Sequence, residues 1–154
     1  MNVQIVNLII VKNLIMEKND ILENNKIIAE FAEIQVTDFQ WKDWRALIVG
    51  DEDDAIDYDN LQYYSPDRDW NHLINVIEKI ESLEDEHHGR FGVDIMSNTC
   101  SIQGSNLYRA LIDSSYGYVY MSNPEAIFDT KLESTYYNVV EFIKWWNEYK
   151  GNKI

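Results

Sequence analysis

SPDRDWNHLINVIEKIESL, residues 65–83, is the stretch whose periodicity settles the fold class. Ser65 and Pro66 form a helix opening in which proline's missing N–H costs nothing, because that N–H would be unpaired there in any case. Asp67 and Asp69 follow at positions where the helix dipole favours anions. Trp70, Leu73, Ile74, Ile77 and Ile80 then recur at helical spacing, and Glu78, Glu81 and Glu84 fall on the wet side. The spacing predicts an amphipathic helix running to about Leu83, with one apolar face that needs a surface to cover it.

The chain beyond this helix supplies such a surface. EDEHHG, residues 84–89, turns into a stretch where Phe91, Val93 and Ile95 alternate with Gly92, Asp94 and Met96, the period of a half-buried strand. Ser97 and Asn98 can turn, and Thr99 to Gln103 can pair back as a hairpin. Tyr108 to Ile112 and Tyr116 to Met121 read as further strands, with Tyr116, Tyr118 and Tyr120 on one face. Asn123-Pro124 reads as a short helical turn. Thr130-Lys131-Leu132-Glu133 has the form of a capping box, and Leu132, Tyr136, Val139, Val140, Ile143 and Trp146 follow at helical spacing towards a stop at Gly151.

Upstream, DEDDAIDYDN (51–60) holds six acids and no base and reads as a solvated loop or edge. Residues 34–49 mix Phe39, Trp41, Trp44, Leu47, Ile48 and Val49, as strand or irregular structure. Asn24 or Asn25 is placed to cap a short helix over Lys26–Ala32. Residues 1–15 are apolar but interrupted by Asn2, Gln4, Asn7, Lys12 and Asn13. Two readings stay open there: translation from Met1, or from Met16 with residues 1–15 as an extension. The expected architecture is a single α+β domain over 16–154, an antiparallel sheet of three to four strands with two long helices packed on one face.

Net charge narrows the partners. The 154 residues carry 27 acids against 13 bases, a net of −14. Residues 51–100 hold fourteen of the acids and three of the bases, so the imbalance belongs to the central third. Such a chain repels nucleic acid and anionic lipid and attracts basic protein surfaces. The longest unbroken apolar run near the start, Leu8 to Val11, is too short to span a bilayer. The lone cysteine, Cys100, excludes an intramolecular disulfide and fits a reducing, cytoplasmic setting.

Chemistry-bearing patterns are sparse. His72, His87, His88 and Cys100 are the soft metal ligands, without HxxxH or CxxC spacing, and the histidines read as surface residues. The acidic run has Ile56 where a calcium loop places glycine. No phosphate-cradling glycine array, nucleophile elbow or kinase set is present, and Cys100 on a strand reads as a small core residue. No catalytic, cofactor or metal residue is therefore nominated, and the chain is expected not to be an enzyme. What stands out is Asp51, Glu52, Asp53, Asp54, Asp57 and Asp59 together with Glu84, Asp85 and Glu86. These form either a plain solvated face or a docking surface for a basic groove. Trp41, Trp44, Tyr63 and Tyr64 flank the run as anchors for a partner or as ordinary core.

NNKIIAEF (24–31), YYSPDRDWNHLINVIEKIESL (63–83) and YYNVVEFIKWWNEYK (136–150) resemble, in matching order, a group of small uncharacterised proteins of Bacteroidetes and their phages. The likeness covers about half the chain, begins after Met16, and leaves out 51–60 and 104–128. Its motifs form caps and apolar helix faces, so it transfers no catalytic residue. It implies a phage or mobile-element setting. The functional expectation is a protein that binds and inhibits a basic host defence effector, such as a CRISPR RNA-guided nuclease, as an anti-CRISPR protein does. The alternatives are a phage accessory or assembly adaptor, or an enzyme whose site assembles only in three dimensions.

Overall fold

A computed structural model describes residues 18–54, 60–122 and 128–151. The first described helix, α1, spans Lys18–Phe31, longer than the capped segment expected from the asparagines. Asn24 and Asn25 lie buried in its middle. Tertiary partners satisfy the Asn25 amide there, so it has no need of an end position to find bonds. The strands β1 (Val36–Trp41) and β2 (Trp44–Val49) form an antiparallel hairpin, which resolves the open reading of 34–49 as strand. Its two-residue loop starts with Lys42 in the left-handed region, φ 54°. The far edge of β2 is extended by residues 62–64. Val49 N donates to Gln62 O at 2.7 Å and Tyr64 N to Leu47 O at 3.0 Å.

The central helix, α2, runs Trp70–Ser82 and starts later than expected. Ser65 does not cap it. Residues 65–69 form a turn in which Arg68 N and Asp69 N donate to Ser65 O, at 3.1 and 2.9 Å. Asp69 is the cap, accepting from Asn71 N at 2.9 Å. Aspartate caps as well as serine does, and the later start leaves 65–68 free to run along the hairpin. The buried stripe is Leu73, Val76, Ile77 and Ile80, while Ile74 is 45% exposed. At 100° per residue, 73, 76, 77 and 80 share one face and 74 turns off it.

A second antiparallel ladder follows, β3 (Glu84–Asp85), β4 (Gly89–Met96) and β5 (Thr99–Gly104), in the order β3-β4-β5. The hairpin at Ser97–Asn98 forms as expected, pairing Phe91 with Gly104, Val93 with Ile102 and Ile95 with Cys100. Gly104 is required where it sits, since a Cβ there would lie 2.6 Å from His88 O. Ser122 N donates to Ile102 O at 2.9 Å, and Met121 bridges Gln103, closing the free edge of β5.

Two expected strands are not strands. Residues 107–112 form a short helix, α3 (Leu107–Ile112), and Ser114–Tyr116 is a single 3-10 turn. Leu107, Arg109, Ala110 and Leu111 are good helix formers, and a six-residue run cannot be assigned by periodicity alone. Tyr118 and Tyr120 do not share a face: the first is exposed and the second buried.

The last helix, α4 (Lys131–Gly151), begins where the capping box predicts, with Glu133 N donating to Thr130 Oγ1 at 3.1 Å. Its Tyr136, Val139, Val140, Phe142 and Ile143 complete the core with Leu73, Val76 and Ile80 of α2 and Phe91, Cys100 and Ile102 of the ladder. The Cys100 thiol is pushed up to about 11 by burial, against a hydrogen bond with Thr135, which suits a packed core residue and not a nucleophile. The α+β class holds. Among the described residues the strands divide into two antiparallel ladders, and the long helices on them are the 13-residue α2 and the 21-residue α4, accompanied by the 14-residue α1. Met16, residues 1–15 and Asn123-Pro124 lie outside the described residues.

Candidate functional site

A cleft of about 590 Å³ opens between the first turns of α1, strand β2 and residues 63–68. The hairpin puts alternate side chains on opposite faces, and Trp44 and Tyr63 come together at the cleft rim. They are 39% and 48% exposed, with ring centroids 5.8 Å apart at 89°. Trp44 also meets Phe39 edge-on at 5.5 Å. Both rings are thus braced by aromatic neighbours while still facing solvent.

Tyr64, also nominated from sequence, turns inward and is buried. Its ring packs on His72 at 5.1 Å, and its hydroxyl is buried with no hydrogen-bond partner. Burial pushes its pKa up to about 12, so it stays a neutral phenol. The side chain of Trp41 lies outside the described residues.

Beside Tyr64 runs a polar string absent from any short motif. Tyr136 OH donates to Asn25 Oδ1 at 2.8 Å, and Asn25 Nδ2 donates to Asp67 Oδ1 at 2.9 Å. The Asp67 side chain is 12% exposed, and its other oxygen lies 3.5 Å from Nε of Arg68, whose side chain is 80% exposed. The second arginine of the cleft, Arg45, is engaged by two carboxylates: Nε donates to Asp38 Oδ1 at 2.8 Å and Nη2 reaches Glu23 Oε1 at 3.2 Å. Hydrogen bonding from Arg45, and from Lys26, holds the Asp38 carboxyl well below the usual range despite partial burial.

The acidic residues separate into three sets. Asp51 to Asp54 form an exposed turn at the end of β2. Asp51 Oδ1 accepts from Asp53 N at 3.0 Å and Asp54 Oδ2 from Asp51 N at 2.9 Å, so those two carboxylates build the turn while Glu52 and Asp53 point free of it. Glu84 and Glu86 are exposed on the other ladder, with Glu84 opposite Arg90. The ion pairs seen among the described residues fall on other carboxylates. Asp85 does not belong to this surface. It is turned inward, accepting from His88 N at 2.6 Å and pairing with His88 Nδ1 at 3.1 Å. Asp57 and Asp59 lie outside the described residues.

His88 corrects the surface reading of the histidines. It is fully buried, stacked on Phe91 at 5.4 Å with Trp145 and Tyr149 edge-on at 5.0 Å each. The readable signal was Asp85 three residues before it and the WWNEY run near the end of α4. Burial works against the Asp85 charge, but hydrogen bonds from the His88 backbone and ring outweigh it and leave the pKa lowered. A lowered carboxyl pKa adds stability above its unfolded value and loses it as pH falls through the folded one. Between about pH 5 and pH 2 the Tm of the wild type should therefore fall more steeply than that of Asp85→Asn. Parallel pH profiles for the two proteins would remove the pair from the account.

Among the described residues no group of three or more His, Cys, Asp or Glu side chains is arranged to hold a metal ion. No described helix is long and apolar enough to cross a membrane. No family model, no curated protein and no solved structure matches the chain.

Proposed function

We propose that the chain is a non-catalytic binding domain that docks a cationic protein surface on its β1–β2 hairpin. The observation that carries this reading is the pairing of exposed, braced aromatics with free carboxylates on one hairpin. Trp44 opens β2 beside the turn, Tyr63 pairs alongside Ile48 on the outer edge of that strand, and Glu52 and Asp53 stand where β2 exits. A six-residue strand spans roughly 20 Å at about 3.3 Å per residue, a width that fits one side of a standard interface. Aromatic anchors supply affinity and the surrounding charge supplies steering and partner choice. The net charge of −14 directs the choice to basic partners.

The specific form of the proposal is an inhibitor carried by a phage or mobile element. It would act in the host cytoplasm, occupying the basic nucleic-acid channel of a defence effector such as a CRISPR RNA-guided nuclease. Support comes from the charge and from the sequence likeness to small Bacteroidetes and phage proteins. A second reading, an assembly adaptor, is favoured by one observation: Tyr108, Leu111, Ile112 and Tyr118 are all largely exposed on and after α3. Apolar clusters of that kind mark contact surfaces.

The test is titration with an oligo-arginine peptide at two salt concentrations. A variant with Glu52→Gln, Asp53→Asn, Glu84→Gln and Glu86→Gln loses four charges and none of the hydrogen bonds that shape the turn. It should bind about tenfold more weakly at low salt, with a flatter salt dependence. Equal affinity in both proteins would remove the electrostatic reading. Addition of the wild-type chain to a purified RNA-guided nuclease, with DNA cleavage as the readout, tests the specific form.

A further inference from the structure

Resting on the reading of a cationic partner, we infer that the cleft between α1, β2 and residues 63–68 is the receptor for a single lysine or arginine side chain of that partner. Asp67 and the Tyr64 hydroxyl are its acceptors, and Trp44 and Tyr63 form its aromatic wall.

The acceptors come first. A buried phenol hydroxyl almost always finds a hydrogen-bond partner, and leaving one unmade costs stability. Tyr64 leaves it unmade while lining the cleft. Asp67 spends one oxygen on Asn25 Nδ2 at 2.9 Å. Its other oxygen faces only the long 3.5 Å approach of a largely exposed Arg68. One neutral acceptor and one anionic acceptor, held by the rigid Tyr136–Asn25–Asp67 string, match an ammonium or guanidinium head group. The exposed rings of Trp44 and Tyr63 can cover the aliphatic stem and attract the charge through their faces.

An anionic occupant fits the same residues poorly. The Arg45 guanidinium is already taken by Asp38 and Glu23. That leaves Arg68 alone to receive an anion, on a chain of net charge −14. Arg68 then has a definite part: it is a weak internal competitor for Asp67 that the partner's cation displaces. Removing it should tighten a cationic ligand and loosen an anionic one, opposite signs from one substitution.

The experiment uses the whole chain and N-acetyl-arginine amide as the probe, followed by ¹⁵N–¹H NMR shifts and tryptophan fluorescence. N-acetyl-glutamate amide serves as the anionic counterpart. The arginine probe should shift Tyr63, Tyr64 and Asp67 resonances. Asp67→Asn should weaken it about thirtyfold or more, as loss of a charge partner in a desolvated pair does. Arg68→Ala should strengthen it. Tyr64→Phe should weaken it while unfolding at or above the wild-type Tm, because the hydroxyl it deletes makes no bond in the free protein. This last variant remains informative if Asp67→Asn fails to fold. Weaker arginine binding in Arg68→Ala, preferential binding of the glutamate probe, or unchanged binding in Tyr64→Phe would each overturn the inference. If oligo-arginine binds the chain but the single arginine leaves the cleft unperturbed, this inference fails and the cationic-partner reading stands. If neither binds, both fail together.

Discussion

Replacing Phe142 by alanine is expected to lower the unfolding free energy by about 3–5 kcal/mol. Phe142 is fully buried on α4 and is the ring through which the helix grips the second ladder. It meets Phe91 at 5.0 Å, Tyr120 at 5.5 Å and Trp145 at 5.6 Å. Deleting it removes apolar area and leaves a hole between a helix and a sheet, neither of which can close on it without moving the other. Urea denaturation reads the loss as a shift in midpoint. Leu111→Ala on α3, where the side chain is 77% exposed, should stay within about 0.5 kcal/mol of wild type. Comparable losses at both positions would mean that the core is not centred on α4 and the β4–β5 pair.

The second large effect is on binding. Trp44→Ala and Tyr63→Ala, each alone, should weaken oligo-arginine binding by about tenfold, from loss of a cation–π and stem-covering surface worth about 1–2 kcal/mol. The double variant should lose less than the sum. The two rings touch each other at 5.8 Å and each single truncation already exposes the other's edge. Neither ring is in the buried core, so the unfolding midpoints should move little. Binding unchanged in both single variants would show that the aromatic pair is not the anchor.

Much of this structure could be read from local patterns. The hairpin at Ser97–Asn98 and the start of α4 at Thr130 follow from two-residue alternation and a capping box, signals that depend only on neighbours a few positions apart. The errors share a cause of the opposite kind. Asn25 has the chemistry of a cap, but its partners are Asp67 and Tyr136, 42 and 111 residues away. His88 looks like a surface histidine until Trp145 and Tyr149 of α4 close over it. Ser65-Pro66 is a sound helix start, displaced because Asp69 caps equally well four residues on. The segment 107–112 was short enough to satisfy either period.

The candidate site was half legible for the same reason. Trp44 and Tyr63 stand out because large aromatics beside an acidic run are conspicuous in composition, and the exposed carboxylates Asp51 to Asp54 are a run in sequence. Tyr64 and Asp85, equally conspicuous, point inward, and nothing in a one-dimensional reading separates Tyr63 from Tyr64 without the pairing of Ile48 and Leu47 that sets their faces. The Asn25–Asp67 contact, which defines the floor of the cleft, exists only once α1 and the 65–68 turn are brought together.

The most direct test of the account is an NMR titration of the intact chain with oligo-arginine, mapped residue by residue, with oligo-glutamate as the control. Perturbations from oligo-arginine concentrated on Trp44, Tyr63, Asp67 and Asp51 to Asp54, fading with added salt, are the predicted result. A response centred instead on Tyr108, Leu111 and Tyr118 of the α3 region, or a stronger response to oligo-glutamate, would contradict a cation-binding hairpin.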